Sequence, residues 1–295
     1  MDGILIPDTR WWAVDKIVLG YFAVVCALIA LYAKRLPEAG LLITVHLLAA
    51  LLLWVEVKRP NRASFVFRHW YALPYVAASY KEMAIIIPAT RPWNADRWLA
   101  GLDYRIWGFH PTVWLERIHA PALTEFLQIV YTLFVPAVLL IPFLIWIRRR
   151  YADFRYVAFL IAAGFLLSYA GYLFVPARGP RFALRDLQHF PLRGLYFFET
   201  MQRTLDRLEA AHYDCFPSGH TELTVIAWWC SRILSKRLFV AYCVYTPSII
   251  FATVYLRYHY TVDVLAGVLA AAVLIAVSPI LYRKLSPRGS DIGGN

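Results

Sequence analysis

Apolar residues run through this chain in blocks longer than an amphipathic helix or a sheet strand requires. Ile17 to Ala33, Ala39 to Val57, Leu123 to Ile147, Tyr156 to Val175, Leu238 to Leu256 and Val262 to Tyr282 are each almost free of charge. A helix needs about 20 largely apolar residues to cross a bilayer, so each block predicts a membrane span. Thr221 to Leu234 is short but reaches span length if it extends through Ser218 and Ser235. Trp70 to Pro88 is interrupted by Lys81 and Glu82. Charges at membrane depth are costly and turn toward a polar interior. This stretch therefore reads as a span holding a functional or internal ion pair, or as a segment lying in the interface; we count it as a span. The expected fold class is all-α, a polytopic transmembrane helical bundle of about eight spans.

Two stretches between the blocks have a different pattern. Arg91 to Ala120 mixes Trp93, Trp98, Trp107 and Trp114 with Arg97, Asp103, Arg105 and Glu116, which predicts an amphipathic cover on the membrane surface. His110 and His119 within it read as structural. Arg178 to His212 is long for a loop and is expected to serve function. There Phe198, Met201, Leu205 and Leu208 recur at helical spacing among Glu199, Arg203, Arg207 and Glu209, which predicts a short amphipathic helix. Asp2 to Arg10 and the Gly-rich Ser286 to Asn295 read as tails, the second disordered. Acidic Asp2 and Asp8 stand where a signal peptide would be basic, so the first apolar block is expected to be retained.

Composition agrees with a membrane protein: 60% of the 295 residues are hydrophobic and 16% aromatic, too apolar for a soluble domain of this size. The 11 Trp and 19 Tyr fit aromatic belts at the two interfaces, although any one of them also suits core packing. A net charge of +11 would suggest nucleic acid in a soluble protein. Here the basic residues sit beside apolar blocks, so the expected partner is the anionic surface of the bilayer, with no nucleic acid. Arg148, Arg149, Arg150 and Arg155, then Arg232, Lys236 and Arg237, then Arg283, Lys284 and Arg288 fall on one side, with Lys58, Arg59 and Arg62. The positive-inside rule makes that side cytoplasmic, with Lys34 and Arg35 as exceptions. Cys26, Cys215, Cys230 and Cys243 show neither paired nor metal-ligand spacing. Three of them read as small core residues, and Cys215 as inert.

Chemistry concentrates in two runs. One is Asp214-Cys215-Phe216-Pro217-Ser218-Gly219-His220-Thr221, and the other is His259-Tyr260-Thr261-Val262-Asp263. A neutral imidazole attacks phosphorus well when a carboxylate holds its other ring nitrogen in the right tautomer. His259 and Asp263 fit that pair, since residues four apart share one face if the segment is helical. His220 would supply the proton a leaving alkoxide needs, and the small Ser218-Gly219 pair would let backbone N–H groups approach an anion. A lone histidine is more often structural; both runs at the edges of apolar blocks favour catalysis. One out-and-back hairpin separates the histidines, which returns both to the face opposite the basic loops.

At these residues the chain resembles the type 2 phosphatidic acid phosphatase (PAP2) superfamily, from about residue 120 to residue 283. That superfamily contains lipid phosphatases, lipid phosphotransferases and soluble vanadium haloperoxidases. Its second motif is Pro-Ser-Gly-His, here Pro217 to His220, and its third ends in His-x-x-x-Asp, here His259 to Asp263. The resemblance implies a six-helix core, with His259 as phosphohistidine nucleophile, Asp263 as its orienting partner and His220 as general acid. The first motif, Lys-x-x-x-x-x-x-Arg-Pro, is partly present in Val175 to Arg181. Similarity to bacterial Gly-Pro-Arg versions favours Arg181 as the phosphate clamp, with Arg178 second, and no lysine fills the motif's first place. The third motif's usual arginine falls on Thr253. Arg257 stands two residues before His259, where it either reaches the phosphate from the other side or snorkels to the interface.

What the resemblance implies is a metal-independent phosphoric ester hydrolase or phosphotransferase. The first reading is a phosphatase acting on a membrane lipid, phosphatidic acid-like or a prenyl phosphate. The alternative is a headgroup transferase, because sphingomyelin and inositolphosphorylceramide synthases also lack that arginine and carry similar His-Tyr-Thr-x-Asp runs. A transporter or an inactive lipid-binding protein is the alternative of another class. No cofactor and no metal are expected, as the runs lack the carboxylate cluster of a magnesium site. Ser218 and Gly219 would share phosphate binding with the arginines, and Arg185, His189 or Arg193 would read the headgroup. The expected division is an N-terminal hairpin with its basic loop (1–69), a catalytic membrane domain (70–285) with interfacial segments 91–120 and 178–212, and the tail (286–295). The expected setting is a bacterial inner membrane, with the site periplasmic and both termini cytoplasmic.

Overall fold

Peptide groups removed from water must be satisfied within the chain, and the apolar blocks meet this demand as helices. The computed structural model describes residues 9–209 and 213–286. The residues of the expected tails up to 8 and from 287, with Arg288, lie outside these, as do residues 210–212 of the long loop. The chain opens with α1 (Ala13–Leu31), α2 (Ala39–Lys58), α3 (Arg62–Trp70) and α4 (Ala72–Thr90). Two surface helices follow, α5 (Asp96–Trp107) and the short α6 (Pro111–Trp114). Next come α7 (Pro121–Thr132), α8 (Phe134–Ile147) and α9 (Tyr151–Phe174). The long loop holds α10 (Pro180–Ala183) and α11 (Phe198–Glu209). The chain then runs through α12 (Gly219–Ser231), α13 (Lys236–Tyr255) and α14 (Thr261–Leu285).

The all-α class is as expected, but the span count is lower. Among the described residues five helices, α1, α2, α9, α13 and α14, are long and apolar enough to cross a membrane. The α7–α8 pair, bent by 41° at Leu133, makes a sixth if counted as one span. The expectation of eight counted two further segments. Segment 70–88 runs from the last residue of α3 into α4, where Glu82 turns inward to His46 Nε2 (3.3 Å) and the Tyr21 hydroxyl (3.4 Å), while Lys81 is exposed. Thr221 to Leu234 does not extend through its flanking serines. Ser218 Oγ caps α12 by accepting from Thr221 N, and Ser235 Oγ caps α13 by accepting from Leu238 N, so α12 is only 13 residues long.

This short helix is the centre of the bundle. Leu223, Ile226, Ala227 and Cys230 of α12 are buried among Val138 and Ile141 of α8, Val157 and Ile161 of α9, Ile249 of α13 and Ala271 of α14. Lipid tails are as apolar as these side chains, so close packing rather than hydrophobic exclusion holds the helices together. Gly267 illustrates the closeness: a Cβ there would lie 2.6 Å from the Ser218 carbonyl oxygen. On the periphery, Leu41, Leu47, Leu48 and Trp54 of α2 are exposed, as suits a lipid-facing helix.

The helix directions separate two ends. At one, Arg148 donates to the Leu234 carbonyl (2.9 Å), Arg150 to the Ile233 carbonyl (2.6 Å) and Lys16 to the Leu285 carbonyl (2.6 Å), so the basic loops meet there. At the other end lie the connections after α9, before α12 and between α13 and α14, which carry the motif residues. α5 and α6 lie beside these connections; Trp93, Trp98, Trp107 and Trp114 are all partly exposed, and Trp107 Nε1 donates to Thr261 Oγ1 (2.7 Å).

Candidate active site

The turn after α13 carries His259. Arg257 adopts φ +67°, and the Thr253 carbonyl accepts from both Tyr258 N (2.9 Å) and His259 N (3.0 Å), which ends α13 and lifts the histidine out of the helix. His259 therefore precedes α14 instead of sharing a helix with Asp263 in its first turn. The two still approach, with Nδ1 3.6 Å from Asp263 Oδ2. The nearer partner is the main-chain carbonyl of Cys215, 2.9 Å from Nδ1. Carbonyl and carboxylate only accept, so the ring proton belongs on Nδ1 and the lone pair is left on Nε2.

Cys215 also contributes its side chain. Its Sγ donates to Asp263 Oδ2 (2.7 Å), which accepts from Tyr260 N as well (2.8 Å). Burial, helped by the charge of Asp263, pushes the thiol well above its ordinary range, so it remains a protonated donor. Cys215, His259 and Asp263 are the one group of three such donors among the described residues whose ligand atoms lie within 4.8 Å of one another. Within it the thiol proton is directed to Asp263 and the Nδ1 proton of His259 to the Cys215 carbonyl.

His220 lies in the first turn of α12, and its ring packs on Tyr131 (centroids 4.5 Å apart) and Phe134 (4.3 Å), which flank the bend at Leu133. The bend thus forms an aromatic bracket. It sets the His220 ring 5.7 Å from that of His259, so the structure brings the two histidines together.

The arginines enter on the connection after α9. Gly179 adopts φ +89°, and a Cβ there would sit 2.6 Å from the Tyr258 carbonyl oxygen, so both backbone and space call for glycine. Arg181 and Arg178 line one small cavity with His220, His259, Cys215, Asp214, Tyr131, Tyr258, Phe182 and Asp206. The Arg181 guanidinium grips Asp206 of α11 at two points, 2.6 and 2.7 Å, and that of Arg178 lies 4.8 Å from the Phe182 ring centroid.

Other residues expected at a phosphate take different places. Ser218 N donates to the Asp263 carbonyl (3.0 Å), and Gly219 packs against the Tyr172 hydroxyl. Neither lines the cavity. Together they fix the start of α12, which points to support of His220 rather than an open backbone cradle. The buried Arg257 donates to Glu116 Oε1 (2.7 Å), Gln188 Oε1 (2.9 Å) and the Phe190 carbonyl (3.0 Å). Glu116 also accepts from His189 Nδ1 (2.7 Å). Arg257 and His189 thereby tie the covering loop to the segment before α7, and Arg257 is not among the residues lining the histidine cavity.

A clamp that the motif spacing does not announce joins the motifs. Asp96 accepts from the backbone N of Arg178 and Gly179 (both 2.9 Å) and from the Tyr260 hydroxyl (3.1 Å). Asp103 caps α14, accepting from Thr261 N (2.9 Å), Thr261 Oγ1 (2.7 Å) and Val262 N (2.9 Å). Both carboxylates are buried on α5, seven residues apart and so on one helical face. Acidic residues at that spacing in a segment rich in exposed tryptophan were the available signal.

Comparisons with curated proteins and with solved structures find no match to this chain. A family model described as the PAP2 superfamily does match, over residues 97–277. That stretch runs from the first turn of α5 into α14 and holds both histidines, Asp263 and both cavity arginines. With more than half its length matched, the chain belongs to the PAP2 superfamily.

Proposed function

We propose that this integral membrane protein is a lipid phosphate phosphatase that works through a phosphohistidine on His259. The observation that carries the reading is one cavity in which His220 and His259 face each other at 5.7 Å beside Arg178 and Arg181, with His259 Nδ1 tied down. The acyl or prenyl tails stay in the bilayer while the phosphate enters the cavity. Arg181, with Arg178, neutralises its charge and orients it, and such positioning dominates phosphoryl transfer. Nε2 of His259 attacks phosphorus, and the N–P bond forms as the bond to the lipid oxygen breaks. His220, which burial and His259 hold neutral before substrate arrives and which takes up a proton as the anionic phosphate enters, gives that proton to the leaving oxygen. The Cys215 carbonyl keeps the ring oriented, and Asp263 offsets the positive charge that develops on it. Water then attacks the phosphohistidine, His220 takes the water's proton, and phosphate leaves with Nε2 regenerated.

The positive-inside rule applied to the basic end supports a site on the outer face, periplasmic in a bacterium. A second reading, headgroup transfer, is favoured by Thr253, which is buried where the superfamily's third motif has its arginine and holds the turn through its carbonyl. In that reading a lipid or polyol hydroxyl replaces water in the second step.

The test is phosphate release and headgroup transfer by the detergent-solubilised protein, with His259→Ala and His220→Ala alongside. Phosphatidic acid, a prenyl diphosphate, and phosphatidylinositol with a ceramide or diacylglycerol acceptor form the panel. Histidine-dependent free phosphate is the expected result. A histidine-dependent new phospholipid without free phosphate establishes the transferase, and turnover unchanged in His259→Ala rejects the mechanism.

A further inference from the structure

α11 is held very differently at its two ends. At its start, the Glu125 carboxylate of α7 accepts from four successive backbone groups: Leu195 N (2.9 Å), Tyr196 N (3.2 Å), Phe197 N (2.7 Å) and Phe198 N (3.1 Å). Glu125 and Phe198 are both buried. A buried carboxylate that satisfies the orphan donors at a helix start is a firm anchor. Toward the other end, Arg203, Thr204 and Arg207 are exposed, and Asp206 reaches down to Arg181 in the cavity. That pair is open to water, its side chains retaining 25% and 37% of their exposure, so it adds only weakly to the packing of half-buried Leu205 on the cluster of Leu127, Tyr131 and Phe198.

The two oxygens of Asp206 meet the guanidinium fork at 2.6 and 2.7 Å, the same two-point contact a phosphate group makes. We propose that Asp206 is a binding determinant of this site: its carboxylate occupies the anion position on Arg181, and the incoming substrate phosphate must displace it. α11 is then a lid, hinged at Leu195–Phe198 on Glu125 and latched by Asp206. The inference rests on the reading of Arg181 as the phosphate clamp. Its consequence is that Asp206 opposes phosphate binding although it lines the binding cavity. Release of the latch frees the fork for phosphate and lifts part of the cavity's cover.

Affinity for inorganic phosphate, measured by calorimetry on the full-length detergent-solubilised protein, tests this with Asp206→Asn and Arg181→Ala. Removal of an exposed competing charge is expected to tighten phosphate binding by about three- to fivefold in Asp206→Asn. Arg181→Ala is expected to weaken it. Unchanged or weaker binding in Asp206→Asn, with Arg181→Ala still impaired, means that Asp206 merely positions the arginine, and overturns the lid. Wild-type affinity in Arg181→Ala removes the arginine reading and the lid with it. Hydrogen exchange on the wild-type protein needs no variant: phosphate is expected to speed exchange of the amides from 201 to 207 while Leu195 to Phe198 stay protected. Unchanged or slower exchange in the first group overturns the proposal.

Discussion

The main-chain carbonyl of Cys215 lies 2.9 Å from His259 Nδ1, closer than the Asp263 carboxylate at 3.6 Å. The motif spacing assigns the orienting role to Asp263, yet the hydrogen bond from Nδ1 is accepted by a main-chain group that no side-chain substitution removes, and the carboxylate stands beyond hydrogen-bond distance. Orientation and charge compensation are therefore divided between two partners.

That division predicts a graded response. Asp263→Asn keeps a polar side chain and leaves the carbonyl in place, so phosphate turnover is expected to fall by about 10- to 100-fold with little change in KM. His259→Ala is expected to be inactive. Steady-state phosphate release compares the two; an Asp263→Asn protein as dead as His259→Ala would mean that the carbonyl cannot hold the ring alone.

Cys215 should tolerate serine better than alanine. Serine keeps a donor toward Asp263 Oδ2, whereas alanine leaves that buried oxygen with Tyr260 N and the more distant imidazole. Because the thiol titrates well above its ordinary range, it stays neutral as pH rises to that range, and its proton is lost only above it. Iodoacetamide at pH 9 is thus expected to leave activity intact. Rapid inactivation that Cys215→Ser abolishes would show a reactive thiolate instead.

Asp103 bonds three donor groups at the start of α14 without lining the histidine cavity. Hydrogen bonds to a charged acceptor contribute roughly 1.5–3 kcal/mol each, and their losses at one side chain are not additive, so Asp103→Ala is expected to cost about 3 kcal/mol. A thermal melt in detergent should show a clear drop in Tm together with reduced turnover. His259→Ala should melt close to wild type. An unshifted Tm in Asp103→Ala would show that α5 does not clamp the motifs.

Chelation distinguishes the histidine mechanism from metal chemistry at the same atoms. Cys215, His259 and Asp263 converge closely enough to ligate an ion, but the proposed mechanism uses them as hydrogen-bonding and charge-balancing groups. Turnover is expected to persist in EDTA. Loss of activity on chelation, restored by a divalent cation, would reassign the cluster as a metal centre.

Much of the architecture was legible because it is local. A long apolar block becomes a helix wherever it sits, and one hairpin between His220 and His259 returns both to the same end. What failed were ends and counts. Ser218 and Ser235 look like places to extend α12, but serine's own hydroxyl competes for backbone N–H groups, and both serve as caps. Arg257 illustrates the same limit at the site: its nearness to His259 in sequence leaves a phosphate contact and snorkelling to the interface both open, and its guanidinium is bound to Glu116, 141 positions earlier in the chain.

By itself the sequence determined the helical class, the membrane setting and the pair of histidines, since apolar length and motif spacing are written along the chain. Only the tertiary structure decided that Asp96 and Asp103 bind the motif loops, that Asp206 meets Arg181, and that a backbone carbonyl orients His259. These are contacts between distant segments, and some involve main-chain atoms that every residue carries. Their partners are chosen by how the helices pack, not by any pattern that residue identity can display.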